Sequence, residues 1–222
     1  MSSTSGFKPR KIKFQDIRAI AEQARKDFKI EPDQIPFPID EIIEFNLKID
    51  IIPIFGLNSG SDIEAFLSHD LKSMNVDASI FMDERYNKRL RFTFAHELGH
   101  YYLHQDIIRQ LKYDNFDEWF DFIRNVDPDD FDWFEKQANE FAGRLLVPKK
   151  ILSDKVLLFQ SQIEAYLKKC KGNDLEIDRD FILLGISRKI CNDFLVSAEV
   201  IKARIYIEKI LDELDLNRLF IE

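Results

Sequence analysis

Apolar residues recur at helical spacing from Phe14 to Phe28, where Ile17, Ile20, Ala21 and Ala24 mark an inner face and predict a first helix. Ile35-Pro36-Phe37-Pro38 follows as a rigid connector, and Asp40 is placed to cap a short helix ending at Phe45. The period then shortens. Lys48 to Phe55, Ile63 to His69 and Ala78 to Asp83 are set off by polar or Gly/Asn/Ser turns and predict three strands of a small sheet. Helical spacing returns from about Lys88 to His104, with Asn87 as its cap and Leu90, Phe94, Leu98 and Tyr101 as its buried stripe. A second stripe, Phe134, Ala138, Phe141, Ala142 and Leu145, ends at Pro148. Beyond it the pattern predicts helices over Ile151 to Lys169, Asp178 to Phe194, and from an N-capping Ser197 through Leu214. The chain therefore reads as α+β. Residues 14–150 form a core with a small, mostly antiparallel sheet, and residues 151–222 form a helical, helix-turn-helix-like subdomain packed on it.

The helix around residue 96 carries His96-Glu97-Leu98-Gly99-His100. Histidines four apart stand one turn apart on one face, close enough to bind a single metal ion, with Glu97 at the rim. A zinc ion held by neutral imidazoles lowers the pKa of a water to about 7, and a carboxylate beside that water can take its proton. The alternative is an ordinary helix whose polar face happens to hold His and Glu. With only four His in 222 residues, the spacing argues against coincidence. Gly99 costs a helix about 1 kcal/mol relative to Ala, which predicts that a neighbouring element approaches there.

A catalytic zinc site takes three protein ligands and leaves one position open. One common spacing would put a glycine at position 103 and a histidine at position 106, but the chain has Leu103 and Asp106, which leaves Asp106 a weak candidate. His104 lies about 12 Å along the helix from His96, too far to share an ion with it, and reads as a supporting or core histidine. His69, beside Asp70, reads as an exposed strand end. Glu135, one turn before Asn139 on the second helix, fits as the third ligand, with Asn139 hydrogen-bonding a ligand histidine. The competing reading makes Glu135 and Glu140 ordinary solvent-facing charges.

Two blocks, R-F-T-F-A-H-E-L-G-H-Y-Y-L-H at 91–104 and E-K-Q-A-N-E-F-A-G-R-L-L-V-P at 135–148, resemble the ImmA/IrrE family of metallopeptidases. Weaker similarity extends to Pro38-Ile39-Asp40 and Phe194-Leu195-Val196-Ser197. The resemblance implies a compact, cytoplasmic, zinc-dependent peptidase with His96, His100 and Glu135 as ligands and Glu97 as general base. It further implies a protein substrate, since members of the family cleave helix-turn-helix repressors. Val147 stands where Met is commoner, and a long segment separates the two blocks.

Composition narrows the partners. At 222 residues and 45% hydrophobic, with 20 Phe, the chain can bury a full core. A net charge of -8 opposes nonspecific DNA binding and attachment to anionic membranes, and favours a protein partner. Met1 to Lys13 holds no apolar run, so no signal peptide is expected, and no stretch is long enough to span a bilayer. Cys170 and Cys191 read as reduced thiols, neither paired nor catalytic, in the cytoplasm. Residues 114–134 interleave carboxylates with Phe and Trp. They read either as a lid or basic-partner site over the cleft, or as an amphipathic insertion with Trp119, Phe120 and Phe122 in the core.

The strand expected at Ala78 to Asp83 directly precedes the metal helix and is placed to pair with an extended substrate. For stabilising an oxyanion, Tyr101, Tyr102, Tyr113 and Arg91 are all open. Zinc follows from ligand type, and manganese or iron could substitute. The alternative function is a DNA-binding or protein-binding regulator with a non-catalytic metal site. Against DNA binding, Lys202, Arg204 and Lys209 alternate with Glu199, Glu208 and Asp212 on the last helix.

Overall fold

The computed structural model describes residues 7–57, 63–111, 113, 115–173 and 178–214. The chain divides into two compact units, Met1–Leu145 and Leu146–Glu222.

In the first unit, helix α1 (Phe14–Asp27) buries Ile17, Ala21 and Ala24 together with Arg25. The Arg25 guanidinium donates to the carbonyls of Leu145 (2.9 Å) and Gln34 (2.7 Å), and burial lowers its pKa to about 10. Helix α2 (Ile39–Glu41) runs into a π-turn over Ile42–Asn46, burying Ile39, Ile42 and Ile43. Pro38 precedes this helix and Asp40 lies within its first turn, so Asp40 is not the cap.

The sheet has three strands, β1 (Asp50–Ile54), β2 (Ala65–Leu67) and β3 (Ser73–Asp77), in the order β1-β3-β2. β3 pairs parallel with β1 and antiparallel with β2, so the sheet is mixed, where a mostly antiparallel one was expected. The third strand is not at Ala78 to Asp83. It is the preceding segment, whose Met74 and Val76 alternate into the core. Ala78–Phe81 is instead a short helix, α3, because the Asp77 carboxylate caps it by accepting from the amides of Ser79 and Ile80.

A 3-10 turn over Glu84–Tyr86 leads into α4 (Asn87–Leu103), so Asn87 opens the helix without capping it. α5 (Gln105–Leu111), α6 (Phe116–Asn125) and α7 (Pro128–Leu146) follow. The stripes of α4 and α7 supply the fully buried Phe94, Leu98, Ala138, Phe141, Ala142 and Leu145.

The second unit contains α8 (Lys149–Leu157), α9 (Gln160–Gly172), α10 (Arg179–Phe194), α11 (Ala198–Ile207) and α12 (Ile210–Glu213). The single helix expected over Ile151 to Lys169 breaks between Leu157 and Gln160. The last helix stops at Ile207, because Lys209 enters the left-handed region at φ 54°. Leu195, also left-handed, turns α10 toward α11, whose start is capped by the Ser197 hydroxyl accepting from Val200. Cys170 and Cys191 are buried and not joined in a disulfide. Among the described residues no helix is long and apolar enough to cross a membrane.

Candidate metal centre

The centre begins with a close approach between α4 and α7. A Cβ added at Gly99 would lie 2.8 Å from both Cα and O of Ala138, so only glycine fits. The glycine that weakens α4 as a helix is what lets α7 close on it. That closeness sets Glu135 opposite the two histidines.

The separations fit a shared ion. His96 Nε2 and His100 Nε2 are 3.0 Å apart. Glu135 places Oε2 3.1 Å from His96 Nε2 and Oε1 3.4 Å from His100 Nε2. Donors about 2.0–2.2 Å from a tetrahedral zinc stand about 3.3 Å from one another, so two imidazoles and a carboxylate at these distances suit a borderline-soft divalent cation. His96, Glu97 and His100 also bring ligand-type atoms within 4.8 Å of one another.

Each histidine is oriented through its other nitrogen. His96 Nδ1 lies 3.0 Å from Asn139 Oδ1, an acceptor that favours the tautomer with its proton on Nδ1 and its Nε2 lone pair free. His100 Nδ1 lies 3.0 Å from His104 Nδ1. His104 is 2% exposed, and burial, reinforced by His100, lowers its pKa to about 2, so it stays neutral. If His100 donates from Nδ1, His104 carries its proton on Nε2, an atom buried without a hydrogen-bond partner. Phe134 stacks on both rings, at 4.2 Å from His100 and 4.1 Å from His104.

Glu135 and His96 polarise one another. Burial opposes charge on both, yet the His100 and His96 hydrogen bonds hold Glu135 well below the usual carboxylate range, and Glu135 in turn raises His96 to about 9. Glu97 behaves oppositely. It is 5% exposed, and burial raises its pKa against the opposing effect of His100 and His96.

Glu97 also accepts from the amide of Leu67 on β2. The bonds from Ser68 N to Ser73 O and from Asp77 N to Glu64 O direct alternate β2 residues to β3, which leaves the backbone of Ala65 and Leu67 turned away from β3. Glu64 anchors this edge to α4 by accepting from Thr93 Oγ1 (2.6 Å) and Arg89 Nε (2.5 Å). The strand beside the site is therefore β2, and the cleft-edge role expected for Ala78 to Asp83 does not hold there.

Of the four residues open for oxyanion stabilisation, three point elsewhere. Arg91 is buried, donating to Phe37 O at 2.5 Å and facing Asp40 at 3.4 Å. Tyr102 stacks on Phe141, and Tyr101 sits edge-on to Tyr102. Tyr113 does line the cavity, but its hydroxyl donates to Leu67 O. Asp106 is exposed on α5, and His69 is half-buried with Nδ1 2.8 Å from Tyr113 O.

A cavity of about 470 Å³ opens on His96, Glu97, His100, Glu135 and Asn139. Trp119, Phe120 and Phe122 line it from α6, half-buried; Trp119 also packs, with Phe116, against the buried cluster of Leu57, Phe66 and Tyr113, so the core packing that the amphipathic pattern suggested is met in part. The acids of that helix, Asp117, Glu118 and Asp121, do face solvent. The β2 backbone and the Phe134 ring escaped the sequence reading, since their roles depend on which element lies beside α4.

An α+β fold that presents two histidines and a glutamate from one helix, with a second glutamate facing them, has the arrangement of a metallopeptidase-like domain. Residues 78–206, more than half of the chain, match the peptidase family described as the IrrE N-terminal-like domain, and the chain belongs to that family. Proteins of this family are typically metal-dependent, in keeping with the cluster on α4. No curated protein matches the chain.

Proposed function

We propose that the chain is a zinc-dependent endopeptidase, with His96, His100 and Glu135 holding the ion and Glu97 acting as general base. The observation that carries this reading is the convergence of two Nε2 atoms and both Glu135 oxygens within 3.0–3.4 Å. Glu135 is preferred over Glu97 as ligand because it spans both imidazoles, while Glu97 is drawn aside by the Leu67 amide. A bound zinc ion supplies Lewis acidity and lowers the pKa of a water at its open position to about 7; manganese or iron would act similarly.

Glu97 supplies the proton traffic. Its burial raises its pKa toward the working range of a base that takes a proton from water and returns it to a leaving amine. Asn139 and His104 keep the imidazole Nε2 atoms turned inward by occupying the Nδ1 positions.

The substrate in this reading is a protein, a helix-turn-helix transcriptional repressor. The exposed acids of α6 and of the first turn of α7, Asp117, Glu118, Asp121 and Asp129, favour a basic partner of the kind that also binds DNA. Cys170 and Cys191, buried as thiols rather than joined in a disulfide, support work in the reducing cytosol. Direct DNA binding by α10 and α11, with the metal site non-catalytic, draws less support. Lys202 is paired with Asp180 at 2.8 Å, Arg204 is buried with Glu208, and the exposed side of α11 carries Glu199, Ala203, Tyr206 and Ile207.

The test uses wild type and Glu97→Gln, both with measured zinc content, incubated with a helix-turn-helix repressor encoded beside the gene. Cleavage by wild type alone is expected. Equal zinc in both proteins with no cleavage by either would return the choice to a non-catalytic regulator.

A further inference from the structure

The apolar stripe of α6, Phe116, Trp119, Phe120 and Ile123, recurs at helical spacing, yet no residue of that helix is buried. An amphipathic helix normally covers its apolar face against a core. Here Phe116 and Trp119 pack against the buried Leu57, Phe66 and Tyr113, while Trp119, Phe120 and Ile123 line the cavity over the metal centre together with Phe92 of α4 and Phe131 of α7. The wall is anchored at both ends. Trp119 stacks on Phe66 of β2 at 4.9 Å, and Phe122 meets Phe7 at 5.2 Å, which in turn meets Phe134 at 5.3 Å. Between these anchors Phe120 and Ile123 face the space itself.

Resting on the peptidase reading, we infer that α6 and the start of α7 form a selectivity wall receiving a bulky apolar side chain of the substrate, Leu, Met or Phe, beside the bond that is cut. Three features choose this occupant. The volume, about 470 Å³, lies within the range of about 300–1,000 Å³ typical of ligand pockets and exceeds what one side chain needs. The cavity residues from α6 and the start of α7, Trp119, Phe120, Phe122, Ile123 and Phe131, are all apolar, so a charged side chain seated against them would lose its water without gaining a partner. The backbone of Ala65, turned away from β3, lies on the same cavity lining, so the occupant that fits is an extended chain rather than a free apolar molecule.

The inference is separable from catalysis by measuring binding. Zinc-loaded Glu97→Gln protein is titrated with short fluorescein-labelled alanine-based peptides carrying Leu, Phe, Asp or Lys at each position in turn, and wild type is assayed for cleavage of the same set. At one position, Leu and Phe are expected to bind about 10- to 100-fold more tightly than Asp or Lys. Ile123→Lys is expected to abolish that preference while zinc content and Tm are kept; Phe120→Ala, which should weaken it, serves if the first variant misfolds. Equal affinity for all four residues at every position, or an unchanged preference in a folded Ile123→Lys protein, would overturn the wall. Selective binding with no cleavage by wild type would sink the peptidase reading and leave the wall standing, and cleavage without preference would do the reverse.

Discussion

Helices α4, α7 and α6 each carry an apolar stripe, but the stripes meet different surroundings. α4 and α7 close on one another until Gly99 has no room for a methyl group, and Phe94, Leu98, Ala138, Phe141, Ala142 and Leu145 of their stripes are fully buried. α6 has no buried residue, and its Trp119, Phe120 and Phe122 rings line a cavity. The first pair can therefore hold donor atoms to within a few tenths of an ångström, as chemistry at a metal requires. The second can change side chains without disturbing those donors. Substitutions in the pair should remove metal or turnover, and substitutions in α6 should redirect which peptides are accepted.

The sharpest contrast comes from Glu97→Gln, which should lower kcat by about 10²- to 10⁴-fold with zinc content unchanged, as measured by metal analysis beside a peptide assay. Gln keeps an acceptor for the Leu67 amide, so the loss should report proton transfer and not a collapsed strand. Asn139→Ala comes next. With nothing to orient His96 through Nδ1, zinc affinity measured by chelator competition should fall about 10- to 100-fold.

Gly99→Ala sets two effects of known size against each other. Ala improves helix propensity by about 1 kcal/mol, but forcing a methyl group against Ala138 costs about 1–3 kcal/mol, so Tm should fall. Zinc affinity should fall with it as α7 is pushed off α4, and a rise in Tm with full zinc occupancy would refute the tight-contact argument. Neutralising Asp117, Glu118 and Asp121 together should have the smallest effect, raising KM for a basic substrate a few-fold at low salt. The difference should vanish at high salt, because these acids are exposed.

What was legible in the chain follows the same division. Periodicity placed α1 and α4 within a residue or two, while α7 begins at Pro128, before the stripe that opens at Phe134; the spacing of His96, Glu97 and His100 marked one helix face. Gly99 could be read as a point of close approach because it pays a helical cost that only packing offsets. The strand expected at Ala78 to Asp83 failed because a short apolar run does not distinguish strand from helix. The capping role of Asp77 decided it, while the alternation of Met74 and Val76 marked the true strand. The surroundings of Trp119, Phe120 and Phe122 were illegible for another reason. An apolar stripe shows that a face is covered or lines a space, and which of these holds depends on elements distant in sequence.

The central claim is that a single divalent ion is held jointly by His96, His100 and Glu135. Zinc stoichiometry and affinity of wild type, His96→Ala, His100→Ala and Glu135→Ala, each checked for folding by thermal melt, test it most directly. The account predicts tight binding of one zinc per chain in wild type and its loss in all three variants. A folded Glu135→Ala protein that retains zinc at wild-type affinity would contradict it.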